Sequence, residues 1–93
     1  MRPLTDLEID ERLATIDPGW RREGAEIARD LERENFMAAV ALVNAIAAEA
    51  ERADHHPDIL IHSYKRLRIT LTTHAAGGLT DRDFALAAAI DAL

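Results

Sequence analysis

Ile59-Leu60-Ile61 and Leu67-Arg68-Ile69-Thr70-Leu71-Thr72 read as two strands, with a short polar break between them. In an extended chain Leu67, Ile69 and Leu71 share one face, while Arg68, Thr70 and Thr72 share the other. That alternation predicts a half-buried strand, and the break predicts a hairpin turning near Tyr64-Lys65-Arg66. Upstream, Ala25, Ile27 and Leu31 alternate with Glu26, Asp30 and Glu32, which predicts another half-buried strand. Trp20 to Arg22 can pair with it through a turn at Glu23-Gly24. Two hairpins make four strands.

Helical patterns separate and flank the hairpins. Thr5-Asp6-Leu7-Glu8 is a capping box, with Leu4 and Ile9 placed for a hydrophobic staple. Ile9, Leu13 and Ile16 continue an apolar stripe that Asp17-Pro18-Gly19 should stop. A middle helix is expected from Asn35 to Arg52, on the recurrence of Phe36, Val40, Val43 and Ala47. Leu42 and Ile46 widen its apolar arc, which suits burial on more than one side, the second side belonging to another subunit. Thr80-x-x-Asp83 opens the last helix, Leu79 and Phe84 staple it, and Leu86, Ile90 and Leu93 follow on one face. The order helix, two strands, helix, two strands, helix predicts an α+β fold. Its form is a four-stranded antiparallel sheet with helices packed on one face.

Residues 1–93 make a single domain near the small end of what folds unaided, so self-association is an expected source of buried surface. The composition, 48% hydrophobic and 30% charged, is that of a globular protein. A formal net charge of -6 argues against nucleic-acid binding. No run approaches membrane-spanning length, and Met1-Arg2-Pro3-Leu4-Thr5-Asp6 lacks the apolar core of a signal peptide. The absence of cysteine rules out thiolate chemistry and fits a cytoplasmic location.

Glu51, His55-His56-Pro57, Tyr64, His74 and Asp83 form the constellation hardest to explain as packing. Three of the four histidines fall inside it. Imidazoles exchange protons near neutral pH, and three of them with flanking carboxylates point to proton transfer on a small molecule. Pro57 biases His56 toward extended backbone, so the middle helix should end before this dipeptide. His74 closes the last strand. Bringing it beside the helix-to-strand connection would gather three imidazoles into one cleft. Adjacent histidines in extended chain point apart, so His55 and His56 need not share a role. Asp83 also has a structural part as a helix cap. His62, on a strand between Ile61 and Ser63, reads as a surface histidine outside the constellation.

The constellation resembles the pterin-4a-carbinolamine dehydratase family, also known as a dimerisation cofactor of a hepatic homeodomain transcription factor. The resemblance rests on Glu51-x3-His55-His56-Pro57 with Tyr64, His74 and Asp83 downstream, and on Gly77-Gly78-Leu79-Thr80-x-x-Asp83-Phe84. Gly19-Trp20 and Ile27-x-Arg29 extend it upstream. It implies dehydration of 4a-hydroxytetrahydropterin to quinonoid dihydropterin, regenerating the cofactor of aromatic amino-acid hydroxylases. It also implies a homodimer or homotetramer, pterin as substrate, and no cofactor or metal. His55, His56 and His74 would be catalytic, with Glu51 and Asp83 orienting imidazoles. Pro57, Thr73, Ala75 and Ala76 would line the pterin pocket with them, and Trp20 would border the ring. The chain departs from the family at Leu31 and Arg33, where aromatics are common, and at Ala75, where an acid is frequent. Two rivals follow from the same residues: a zinc site built from three histidines and a carboxylate, and an interaction module on the same fold.

Overall fold

Strand β4 (Arg66–Leu71) lies inside the sheet, paired with β2 (Glu26–Glu32) on one side and β3 (Asp58–His62) on the other. β1 (Arg21–Glu23) pairs with the outer edge of β2, giving the order β1-β2-β4-β3 with every pairing antiparallel. The computed structural model of the chain describes residues 1–93. Helices α1 (Asp6–Leu13), α2 (Phe36–Ala53) and α3 (Asp81–Asp91) complete the fold.

Register explains which face is buried. Ile27 stands opposite Leu71, and Ile69 opposite both Arg29 and Ile59, while Leu67 faces Leu31 and Ile61. Ile27, Leu67, Ile69 and Leu71 are fully buried. They share the core with Ile9 of α1, Ile46 and Ala50 of α2, and Phe84, Leu86, Ala87 and Ile90 of α3. Burying each large side chain contributes about 1.5–3 kcal/mol, so this layer carries most of the fold's stability. The opposite sheet face is charged: Arg68 pairs with Asp30 at 3.0 Å and Arg66 with Glu32 at 3.0 Å. The Arg68 hydrogen bond holds the Asp30 carboxyl below the usual carboxylate range. Its small contribution is present at neutral pH and lost as pH falls through that lowered value.

Two hairpin turns require left-handed backbone. Gly24 supplies it between β1 and β2 at φ 64°, whereas Ser63 and Tyr64 adopt it between β3 and β4 at φ 50° and 52°. Tyr64 is thereby held out on the hairpin tip, 61% exposed, with the Lys65 ammonium 5.6 Å from its ring centroid.

Two expectations need correction. α1 ends at Leu13 instead of running to Asp17. Beyond Leu13 the chain tightens into turns, the Thr15 amide donating to the Arg12 carbonyl at 3.0 Å and the Ile16 amide to that of Leu13 at 3.5 Å. The Thr15 hydroxyl donates to the same Arg12 carbonyl at 2.7 Å, and the Asp17 amide donates to Asp91 at 2.9 Å. In α2 the fully buried residues are Ala39, Ile46 and Ala50. Ile46 belongs to the expected apolar arc, whereas of the stripe Val40 and Val43 are half-buried and Phe36 and Ala47 exposed. Alanines let the helix lie close to its neighbours, and Phe36 and Met37 stay exposed at 50% and 72%.

Candidate active site

α2 closes with Asp54 in the left-handed region, at φ 49° and ψ 44°, and the His55 amide returns to the Ala50 carbonyl at 3.1 Å. This helix ending satisfies terminal carbonyls and turns the chain sharply. Its consequence is to part the two histidines: the His55 side chain is 9% exposed and that of His56 is 59% exposed. His55 Nε2 lies 2.6 Å from Asp83 Oδ1, while His56 Nε2 is hydrogen-bonded to the exposed Glu51 carboxylate.

Asp83 comes from the first turn of α3 and is wholly buried. Its Oδ2 accepts the Thr73 hydroxyl at 2.8 Å and the Thr80 amide at 2.9 Å. The Thr73 and Thr80 hydroxyl oxygens are 2.8 Å apart. One carboxylate therefore caps the helix and grips the imidazole together. The expected helix-capping part of Asp83 is thus present, and its other oxygen meets His55.

The loop after β4 is closed by reciprocal backbone bonds between Thr73 and Gly78, at 3.2 and 3.4 Å. Within it His74–Ala76 forms a single 3-10 turn that Gly77 ends in the left-handed region. His74 is thus carried, exposed, to the rim of a cleft of about 260 Å³. His55, His56, Thr72, Thr73, Ala75, Asp54 and Arg82 line the same cleft. The three imidazoles expected to meet are brought together. No three His, Asp or Glu side chains gather closely enough to share a metal ion.

Several expected residues stand elsewhere. Trp20 is buried in the core, its indole N–H donating to Asp91 at 2.8 Å, and it does not line the cleft. Pro57 and Ala76 are also outside the lining: Pro57 shapes the entry to β3, and Ala76 turns its amide to the Thr73 carbonyl. His62 lies on the open sheet face beside Arg66 and Arg68. Sequence reasoning missed Arg82, Thr72 and Asp54 as cleft residues. Arg82 reaches the Ala53 and Asp54 carbonyls at the end of α2, where a cation is favoured by the helix dipole. Its place beside Asp83 in the capping segment was the only signal available.

The family model described as Pterin 4 alpha carbinolamine dehydratase matches residues 2–93. A protein of Acidobacterium capsulatum, provisionally named a pterin-4-alpha-carbinolamine dehydratase, is 53% identical over 93 residues, covering 100% of this chain and 99% of its own. A Chloroflexus aurantiacus protein named in the same way is 55% identical over 91 residues, covering 98% and 96%. Among solved structures, the transcriptional coactivator/pterin dehydratase of Brucella melitensis matches with TM-score 0.90 and 32% identity, over 98% and 97% of the chains. A pterin dehydratase-like protein identified as a RuBisCO assembly factor in the alpha-carboxysome matches with TM-score 0.66 and 26% identity, over 80% and 87%. Fold and cleft together define a small α+β domain of the pterin dehydratase kind. The chain belongs to the pterin-4a-carbinolamine dehydratase family.

Proposed function

We propose that the chain dehydrates 4a-hydroxytetrahydropterin to quinonoid dihydropterin by histidine acid–base catalysis, in cytoplasmic tetrahydropterin recycling. The observation that carries this reading is the meeting of His55, His56 and His74 on one cleft, from the two ends of the β3–β4 hairpin. The C4a–O bond breaks as an imidazolium protonates the departing hydroxyl. A neutral imidazole takes the N5 proton, and the freed electron pair forms the C4a=N5 bond. Water leaves and the proton count closes. Side chains alone supply this chemistry, with pterin as substrate and neither metal nor redox cofactor drawn upon.

His74→Ala should lower kcat by roughly 100-fold if no neighbour substitutes. His62→Ala, on the other sheet face, should leave it unchanged and serves as the internal control. Equal turnover in both variants would remove His74 from the reaction. The steady-state rate must be corrected for spontaneous dehydration of the carbinolamine.

The reading extends to self-association as a homodimer or homotetramer, since Phe36 and Met37 remain largely exposed on α2. Sedimentation should give an assembly larger than the 10.3 kDa chain at micromolar concentration. A strict monomer would contradict this. A second reading, a non-catalytic interaction module, is supported by the structural match to the alpha-carboxysome assembly factor. Measured turnover separates the two.

A further inference from the structure

The geometry points to Nδ1 of His55 as the one nitrogen through which that residue exchanges protons with substrate, with Asp83, Thr73 and Thr80 locking the tautomer. This rests on the dehydratase reading above for the identity of the substrate, but the lock itself does not. Asp83 is buried beneath His55 and does not line the cleft, so it acts as a positioning residue.

The hydrogens can be assigned one by one. The Thr80 amide lies 2.9 Å from Asp83 Oδ2 and can only donate. As a carboxylate Asp83 only accepts, so the Thr73 hydroxyl, 2.8 Å away, gives its proton to the same oxygen. With that proton committed, the Thr80 hydroxyl donates to Thr73 across 2.8 Å, and its own oxygen accepts the Arg82 amide at 3.3 Å. Asp83 Oδ1 is left for His55, whose Nε2, at 2.6 Å, must therefore carry hydrogen. Nδ1 makes no hydrogen bond within the protein, yet no solvent-buried side-chain nitrogen or oxygen lacks a partner. Nδ1 thus reaches solvent, on a residue that lines the cleft. In neutral His55 this nitrogen presents a lone pair. When it takes a proton, the charge is balanced by Asp83 on the far side of the ring, the orienting role carboxylates play behind catalytic and metal-bound histidines.

Asp83→Asn turns this reasoning into a test with a predicted sign. The Thr80 amide forces the asparagine carbonyl into the Oδ2 position, because an NH2 group there would face a donor. The NH2 group then faces His55 Nε2, which must become an acceptor. The proton moves to Nδ1, and the lone pair is turned away from the cleft.

Imidazole 15N spectroscopy on labelled protein, using long-range proton couplings, reads the tautomer directly. In the neutral wild-type protein His55 should be Nε2–H. In Asp83→Asn it should be Nδ1–H, with kcat reduced at least 100-fold and KM little changed. A wild-type Nδ1–H tautomer overturns the proposal, as does an unchanged tautomer in folded Asp83→Asn. An inverted tautomer with full kcat overturns the catalytic part. Should Asp83→Asn not fold, the wild-type spectrum alone decides the tautomer. That spectrum is independent of turnover, so failure of the dehydratase reading would be distinguishable from failure of the lock.

Discussion

Replacing His55 and His56 together should bring carbinolamine dehydration close to its spontaneous rate, a loss of about 100- to 10,000-fold. Either single change is expected to cost less than the pair, about 100-fold for His55→Ala as for Asp83→Asn, because the remaining imidazole and solvent can carry part of the proton traffic. The two histidines are not equivalent in their cost to the fold. His56 is largely exposed and its partner Glu51 is solvated, so His56→Ala is mild for stability. His55→Ala removes one donor from a wholly buried carboxylate, at about 1–3 kcal/mol. His55→Gln/His56→Ala offers Asp83 a donor in place of the imidazole and separates lost chemistry from lost folding. A folded double variant that turns over like wild type would transfer the site to other residues and favour the interaction-module reading.

Asp91→Ala should damage the fold strongly while leaving the chemistry alone. Asp91 accepts the Trp20 indole N–H at 2.8 Å and the Asp17 amide at 2.9 Å, and it pairs with the Arg29 guanidinium. Arg29 is only 17% exposed along its side chain, and its other carboxylate, Asp17, is 3.4 Å away. Removing Asp91 strands two donors and half-orphans a cation, at about 3 kcal/mol. For a domain of this size that is a fall in Tm of more than about 10 °C. Asp91 closes the C-terminal end of α3 and Asp83 lies in its first turn, separated by about 12 Å at 1.5 Å per residue. The surviving folded protein should therefore keep its kcat and KM. Trp20→Phe, which keeps the ring and removes only the N–H, should lose less stability and leave KM unchanged. A large rise in KM would return Trp20 to the pterin pocket.

These two clusters show what was legible in the sequence. The strands were legible because Leu67, Ile69 and Leu71 alternate without interruption, and β4 is the strand that both its neighbours need. The starts of α1 and α3 were legible because capping is local: Thr5 with Glu8, and Thr80 with Asp83, lie three residues apart. The burial of α2 was legible only in part. Ile46 and Leu42 of the expected arc turn to the core, but the small Ala39 and Ala50 join them there, where close approach is needed, while Phe36 stays exposed. The imidazole cluster could be anticipated from the spacing of His55, His56 and His74. The hydrogen bond from His55 to Asp83 spans 28 residues and appears only when the α2 ending and the first turn of α3 are brought together. Trp20 was misplaced for the same reason: its partner lies 71 residues away. Arg82 joins the cleft through backbone carbonyls that no side-chain pattern records.

The most direct test of the account is turnover of 4a-hydroxytetrahydropterin by the purified wild-type chain, with the spontaneous rate subtracted. Catalysis should be plain at substoichiometric enzyme, need no added metal or cofactor, persist in His62→Ala and collapse in the His55/His56 double variant. A folded wild-type protein that does not accelerate the reaction over the spontaneous rate would contradict the central claim, and the cleft would then belong to a binding protein on a dehydratase fold.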